Sequence, residues 1–235
     1  MEKVEQSVAW LKKAEQEYAL NLMFACSFGA EDVVLLDLIA KYDVAIRVVT
    51  LDTGRLPQET YDVMAACCKK YDLMLEMYFP NADDVEAMVR KDCINLFFDS
   101  VEKRKKCCHV RKVLPLKRAL EGAQAWVTGV RRAQADSRAD MQFVEDDKAF
   151  GIKKFNPLLE WSEKDVWDYI KGNDVPYNKL HDQFYPSIGC APCTRAISVG
   201  EDPRAGRWWW EQEGAVAECG LHVSPISSIA KGEKR

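Results

Sequence analysis

The sequence predicts an α/β protein with a doubly wound, mostly parallel sheet, and three observations support this fold class. Short apolar segments alternate along the chain with segments of helical length. Polar turns follow several of the predicted strands, at the end of the sheet where such folds bind ligands. The length of 235 residues is enough for one large domain with its own core.

Four segments are predicted to be strands because they are short, apolar and partly β-branched: residues 20–27, 44–52, 73–79 and 123–130. Helices are predicted between them, from Ala30 to about Tyr42, over residues 57–72 with Pro57 near the first turn, and around residues 113–121. Each helix follows or precedes a strand, as a parallel sheet requires.

The pattern becomes weaker after Phe155. One further helix is predicted over residues 162–172, with Ser162 as its N-cap and Asp165 completing a capping box. Periodicity is poor from Gly189 onward, so we expect loops and short helices there.

Composition and charge limit the function. Apolar residues make up 48% of the chain and charged residues 30%, as in ordinary soluble proteins. The net charge of −4 argues against general binding to nucleic acid or to a membrane surface. The first residues predict a charged amphipathic helix without an apolar signal core, and no apolar run has the length of a membrane span. We therefore expect a cytoplasmic protein.

The chain has nine cysteines, which in a reducing compartment are expected to be free, metal-bound or catalytic. Cys26 ends a predicted strand and is interpreted as a core residue. Cys93 has no cysteine or histidine at ligand spacing and is interpreted in the same way. Cys68 shares an apolar helix face with Met64, so the Cys67–Cys68 pair is predicted to be structural, with Cys68 in the core.

A different environment surrounds Cys107 and Cys108, which lie side by side in the basic stretch "KKCCHVRK". Downstream, Cys190 and Cys193 form a C-x-x-C pair in "GCAPCTR". Four thiolates can hold tetrahedral zinc or an iron–sulfur cluster. Both centres are anionic with four thiolates, so the neighbouring lysines and arginines suit either of them.

Six motifs occur in the order "SFGAED", "LDTGRL", "CCHVRKVLPLKRAL", "GVRRAQADSR", "GCAPCTRAI" and "ECGLH". Together, over roughly residues 20–222, they resemble the assimilatory adenylyl-sulfate (APS) reductases, the iron–sulfur branch of the sulfonucleotide reductases. The resemblance implies an adenine nucleotide α-hydrolase-like (PP-loop) fold. It also implies one 4Fe–4S cluster with the ligands Cys107, Cys108, Cys190 and Cys193.

The resemblance also implies a division of the single domain. Residues 1–200 are expected to form the α/β part that binds nucleotide and cluster. Residues 201–235 are expected to form a mobile C-terminal segment that carries the catalytic cysteine, Cys219, in "ECGLH".

The loop after the first predicted strand presents the Ser27 hydroxyl and backbone N–H groups to an anion. Phe28 and Ala30 depart from the S-G-G-x-D-S pattern of PP-loops, and no Walker-type lysine follows. A phosphosulfate therefore suits this loop better than a triphosphate with magnesium. By resemblance, the backbone around Leu51, Thr53 and Gly54 holds adenine.

Three arginines, Arg131, Arg132 and Arg138, follow the fourth predicted strand. One guanidinium group can donate two parallel hydrogen bonds to two oxygens of a phosphate or sulfate, so this cluster predicts an anion site. The resemblance adds further residues to the substrate site: Lys112, Gly129, Arg204, Arg207 and His222. The other two histidines, His109 and His181, are assigned structural or solvent roles.

The implied activity is reduction of APS to sulfite and AMP, in sulfate assimilation and cysteine biosynthesis. Cys219 would form a cysteine S-sulfonate, and thioredoxin or a glutaredoxin-like protein would release it. The alternatives are reduction of the 3′-phosphorylated nucleotide PAPS, a PP-loop enzyme that thiolates tRNA, and a nucleotide-binding module. A tRNA-thiolating enzyme should have a complete S-G-G-x-D-S loop and a more basic surface, which this chain lacks. A homo-oligomer is compatible with the sequence.

Overall fold

A computed structural model describes residues 2–134 and 138–211 of the chain. Six strands form one sheet in the order β3-β2-β1-β4-β6-β5, and their bounds are β1 (Leu22–Ala25), β2 (Arg47–Leu51), β3 (Leu75–Tyr78), β4 (Ala125–Val127), β5 (Val144–Asp147) and β6 (Ile152–Phe155). The four predicted strands correspond to β1–β4, which are shorter than the predicted segments.

Seven α-helices are found within the described ranges: α1 (Glu2–Tyr18), α2 (Ala30–Lys41), α3 (Gln58–Tyr71), α4 (Ala82–Asp92), α5 (Val101–Cys108), α6 (Leu114–Ala119) and α7 (Glu163–Gly172). The prediction did not include α4 or α5. None of the helices in this part of the chain is long and apolar enough to cross a membrane.

The sheet is mostly parallel, as predicted. Strands β3, β2, β1, β4 and β6 pair in parallel, and only the edge strand β5 runs antiparallel, to β6. Neighbouring residues of β1 enter different parts of the core, since Phe24 belongs to the larger apolar cluster and Met23 to a smaller one. The larger cluster includes residues of α1, α2, α3 and α7, and the smaller one includes residues of α6. Helices therefore cover both faces of the sheet.

Helices α5 and α6 are joined by a π-helical turn, His109–Val113, so that the chain is helical from Val101 to Ala119. The helix predicted around residues 113–121 is only the last part of this long element. A π turn changes the direction in which the following side chains point and often occurs at functional sites. Here it follows Cys107 and Cys108 directly.

Two cysteine predictions were wrong. In α3 the buried residues include Met64 and Cys67, and Cys67 is 0% exposed, whereas Cys68 is only partly buried. On a helix, Met64 shares a face with the residues three and four positions later, which are Cys67 and Cys68. In α3 the residue that packs in the core is Cys67. Cys93 is exposed and lies at the C-cap of α4, where its φ is +66°. Cys26 lies in the core, as predicted.

Candidate active site

A cavity of about 530 Å³ opens at the carboxyl ends of β1, β2 and β4. Polar turns converge there because parallel strands end at the same edge of a sheet. The walls include nine of the residues predicted to bind substrate: Ser27, Leu51, Thr53, Lys112, Gly129, Arg131, Arg138, Arg204 and Arg207.

The loop after β1 is organised by a buried carboxylate, Asp32, in the first turn of α2. Its Oδ2 accepts hydrogen bonds from the Ser27 backbone N–H at 2.5 Å and from the Ser27 hydroxyl at 2.6 Å. Burial raises the pKa of Asp32 to about 6, although the hydrogen bonds from Ser27 act in the opposite direction. The Ser27 side chain is therefore oriented by Asp32.

Gly129, after β4, lies against the same carboxylate. A Cβ at this position would be 2.2 Å from Asp32 Oδ1 and 3.0 Å from Glu31 Cβ. Only glycine allows the end of β4 to approach the loop after β1 this closely. The two polar turns thus form one wall of the cavity.

The three arginines after β4 have different surroundings. Arg131 is buried, and its Nε donates to Glu31 Oε1 at 2.8 Å. Gln134 Oε1 accepts hydrogen bonds from the Arg131 backbone N–H at 3.0 Å and from Arg138 Nη1. Arg132 is not brought to the cavity, because its Nη2 donates to the Met141 carbonyl oxygen at 3.1 Å and the side chain is partly exposed.

Arg207 reaches the cavity from the segment after the C-x-x-C pair. Its Nη1 donates to Ser187 Oγ at 3.1 Å and to the Ile188 carbonyl oxygen at 3.4 Å. A Cβ on Gly189 would lie 2.4 Å from Arg207 Nη2, so this glycine leaves the space that the guanidinium occupies. These contacts fix the direction of the Arg207 side chain.

The turn after β2 is held by Asp52 and Arg111. Asp52 Oδ1 accepts from the Gly54 N–H at 2.7 Å, and Arg111 Nη1 donates to the Thr53 carbonyl oxygen at 2.7 Å. Gly54 has a left-handed φ of 69° and faces Arg111. Gly54 is not among the cavity-lining residues, unlike Leu51 and Thr53.

The C-x-x-C segment lies beside this turn. Thr53 Oγ1 is 3.2 Å from Cys190 Sγ, and the Ala191 N–H donates to the Arg55 carbonyl oxygen at 2.8 Å. Cys190, Cys193 and Cys107 belong to one apolar cluster with Trp208. The structure therefore brings the two cysteine motifs to one region next to the cavity.

Burial determines the acidity of these thiols. It raises the pKa of Cys193 to about 12 and also raises the pKa of Cys107, which Arg111 partly offsets. Cys108 is partly exposed at the end of α5. Across residues 2–134 and 138–211, no three Cys, His, Asp or Glu side chains are already arranged to hold a metal ion.

Sequence reasoning missed Glu31, Asp32 and Arg111 as site residues. The two carboxylates are part of "SFGAED", which was interpreted only as an anion-binding loop. Acidic residues in the first turn of a helix were the signal that could have identified them. Two predicted residues, Cys219 and His222, lie outside the described part of the chain.

Comparisons with known proteins indicate the family of this chain. The family model "Phosphoadenosine phosphosulfate reductase domain" matches residues 21–196. An adenosine 5′-phosphosulfate reductase of Allochromatium vinosum is 52% identical over 86% of this chain and 78% of its own. A protein of the same name from Burkholderia cepacia is 48% identical over 97% of this chain and 90% of its own.

Solved structures agree on the fold. A phosphoadenylyl-sulfate (PAPS) reductase of Candida auris, solved as a phosphate complex, has a TM-score of 0.70 and 29% identity over 82% of this chain and 90% of its own. An FMN adenylyltransferase of Candida glabrata has a TM-score of 0.58 with 14% identity over 97% of this chain and 78% of its own, which supports the adenine nucleotide α-hydrolase-like fold alone. The chain belongs to the phosphoadenosine phosphosulfate reductase family of oxidoreductases, and the two relatives above, at 52% and 48% identity, are named adenosine 5′-phosphosulfate reductase.

Proposed function

We propose that this protein reduces adenosine 5′-phosphosulfate (APS) to sulfite and AMP, as a step of sulfate assimilation toward cysteine in the cytoplasm. The observation that carries the proposal is the cavity at the strand ends, where Lys112, Arg138, Arg204 and Arg207 provide cations for a phosphosulfate. The high identity to proteins named APS reductase supports APS as the substrate.

The residues suggest how the nucleotide would be oriented. The turn after β2 offers backbone groups of Leu51 and Thr53 to adenine, while the loop at Ser27 and the glycine at 129 border the rest of the nucleotide. Lysine and arginine beyond them would offset the negative charge that develops on the leaving phosphate. Gly54 and Arg132 would act indirectly, by shaping the turns.

The cysteines at 107, 108, 190 and 193 would hold one 4Fe–4S cluster. Three of them already share an apolar cluster, the Thr53 hydroxyl contacts Cys190, and Arg111 and Lys112 provide positive charge beside the thiolates. When bound, the cluster would order the two cysteine motifs and add its field to the substrate site.

The proposed chemistry uses Cys219 as the nucleophile. Its thiolate attacks the sulfur of the phosphosulfate, the S–O bond to phosphate breaks, and AMP leaves with the electron pair. The enzyme then carries a cysteine S-sulfonate on the segment 201–235. A thiolate of thioredoxin or a glutaredoxin-like protein attacks the cysteine sulfur, sulfite leaves, and the second thiol of the partner resolves the mixed disulfide. His222 and the arginines would favour the thiolate form of Cys219.

The test compares Cys219→Ser with Cys93→Ser, which changes an exposed cysteine outside the cavity. Anaerobically purified Cys219→Ser should keep the brown colour, about four irons per chain and APS binding. Cys219→Ser should lose APS turnover, and intact mass should show no S-sulfonate adduct. Cys93→Ser should retain the turnover and the adduct. Normal APS reduction by Cys219→Ser would exclude the mechanism. Parallel assays with PAPS decide which nucleotide is the substrate.

A further inference from the structure

A buried ion pair connects α5, the helix that ends with the cysteine pair, to Glu211, the last residue that the structure describes. Arg104 Nε donates to Glu211 Oε1 at 2.7 Å, and Arg104 Nη2 donates to Glu211 Oε2 at 2.9 Å. The two side chains are only 1% and 5% exposed. Desolvation of two charges is costly, and this two-bond geometry is the kind that offsets it.

Each end of this pair is close to the proposed chemistry. Arg104 lies one helical turn before Cys107 and Cys108 in α5, on the same side of the helix. Its guanidinium carbon also lies 4.4 Å from the centre of the Trp208 ring, which packs in the apolar cluster with Cys107 and Cys193. The chain ahead of residue 212 is thus fixed to the region of the cysteine motifs.

The ion pair of Lys103, also in α5, differs from this one. Lys103 and Asp99 pair at 2.8 Å with side chains 39% and 56% exposed. Such a surface pair contributes little and holds no distant segment. The Arg104–Glu211 pair spans 107 residues of sequence, so its main geometric effect is to fix residue 211 of the C-terminal segment against α5.

We propose that Arg104 and Glu211 are positioning residues that fix the chain at residue 211, ahead of Cys219. The inference rests on the proposed role of Cys219. That cysteine follows Glu211 by eight residues (219 − 211 = 8), and eight extended residues span at most about 28 Å. A fixed Glu211 therefore limits the volume in which the thiol can be found and raises its effective concentration at the substrate.

Substrate binding should not depend on this pair. Arg207 is held separately by Ser187 and by the Ile188 carbonyl oxygen. Loss of the Arg104–Glu211 pair should therefore lower the rate at saturating APS and leave KM nearly unchanged. A pair that only stabilised the fold would instead lower the amount of active, cluster-loaded protein.

The experiment measures single-turnover S-sulfonate formation, KM for APS, iron content and thermal stability. For Glu211→Gln we expect normal iron per folded chain, KM within about threefold, and a rate at saturating APS reduced about tenfold or more. Arg104→Lys, which keeps the charge but not the two-bond geometry, should show a smaller loss. Asp99→Asn is the matched control, because it removes the exposed ion pair with Lys103 of the same helix, and it should resemble the unchanged protein.

The double variant Arg104→Gln with Glu211→Gln separates positioning from stability. It leaves no unpaired buried charge, so its thermal stability should recover relative to Glu211→Gln. Its rate should stay low, because the chain at residue 211 is still not fixed. Recovery of both stability and rate would overturn the proposal, and so would a normal rate in Glu211→Gln.

One readout does not depend on the role of Cys219. Trypsin should cleave Glu211→Gln at Arg204 and Arg207 at least several times faster than it cleaves the unchanged protein or Asp99→Asn, as intact mass would show. Equal cleavage rates would overturn the anchoring itself. If the unchanged protein forms no S-sulfonate at Cys219, the proposed function fails, whereas the cleavage rates still decide whether the pair anchors this segment.

Discussion

The contact between Gly129 and Asp32 sets the shape of the cavity wall at the level of single residues. Asp32 accepts two hydrogen bonds from Ser27, so any shift of its carboxylate moves the loop after β1. The Asp32 carboxylate cannot move aside easily for a larger residue at position 129, because Asp32 is buried in the first turn of α2. A change at Gly129 should therefore affect the loop on the neighbouring strand.

Gly129→Ala should weaken APS binding about tenfold or more and destabilise the protein by about 1–3 kcal/mol, as overpacking does. The physical reason is the 2.2 Å approach of the new Cβ to Asp32 Oδ1. Calorimetric titration with APS, in a Cys219→Ser background that prevents turnover, measures the affinity. Thermal unfolding measures the stability.

Gly172→Ala is the control for this substitution, since no atom lies within 4 Å of a Cβ at that position at the end of α7. It should bind APS normally and be as stable as the unchanged protein or slightly more stable. Equal APS affinities of the two variants would show that the close contact at Gly129 does not shape the site.

Individual residues also show what a sequence can reveal about a site. Arg131 and Arg132 are equivalent as sequence signals, and both were predicted to bind substrate. The structure separates them through partners outside the motif, because Glu31 pairs with Arg131 whereas Glu160 and the Met141 carbonyl oxygen lie near Arg132. Such partners depend on the folded arrangement, which local spacing does not contain.

Among the helices and strands, α7 has an N-terminus that is specified by residues close together in sequence, through a capping box. Ser162 Oγ accepts from the Asp165 N–H at 3.1 Å, and Asp165 Oδ2 accepts from the Ser162 N–H at 2.7 Å. Lys3 pairs with the same carboxylate at 2.6 Å. The ion pair with Lys3 and then the hydrogen bonds from Ser162 hold the pKa of Asp165 well below its ordinary value.

Ser162→Ala should destabilise the protein by about 1 kcal/mol, because the first N–H groups of α7 lose their side-chain acceptor. Urea denaturation should show a lower midpoint with an unchanged slope. Ser162→Thr keeps a hydroxyl at the N-cap and should recover most of the loss. An alanine variant as stable as the threonine variant would mean that the capping box contributes nothing to α7.

Several elements with clear local signals were predicted, whereas α4 and α5 were missed although Asn81 and Ser100 cap them. Strands β1, β2 and β4 are apolar runs, and α7 has its cap. The hairpin of β5 and β6 was missed because β5 has the sequence Val-Glu-Asp-Asp, which carries no strand periodicity. Two of its three carboxylates are paired across the strands, where Lys154 pairs with Glu145 at 2.9 Å and Lys153 with Asp146 at 2.6 Å.

For the whole molecule, the strand order explains why the cavity was predictable. Strands β2 and β3 lie on one side of β1, and β4 lies on the other, so the connections leave β1 and β4 in opposite directions. A crevice forms between them at their carboxyl ends. The arrival of the C-x-x-C segment at this crevice was not predictable from periodicity, because residues 189–211 carry none, and it was indicated only by the resemblance.

Three helices are tied together by one buried carboxylate. Asp37 of α2 accepts hydrogen bonds from the Tyr71 hydroxyl at 3.0 Å and from the Tyr169 hydroxyl at 2.6 Å. It also pairs with Lys41 at 2.7 Å. Tyr71 ends α3 and Tyr169 belongs to α7. Asp37 therefore connects α2, α3 and α7, the helices that pack in the larger apolar cluster. None of these four residues lines the cavity.

Asp37→Asn should therefore lower stability without altering the site. The amide oxygen can replace one acceptor, but the second hydroxyl and Lys41 lose a carboxylate partner in a buried position, at a cost of about 2–4 kcal/mol. The urea midpoint should fall, while kcat and KM for APS in the folded fraction should stay within about twofold. Asp168→Asn, which removes an exposed pair with Lys164 on α7, should leave all three values unchanged. A large rise in KM for Asp37→Asn at normal stability would show that the helical layer shapes the cavity directly.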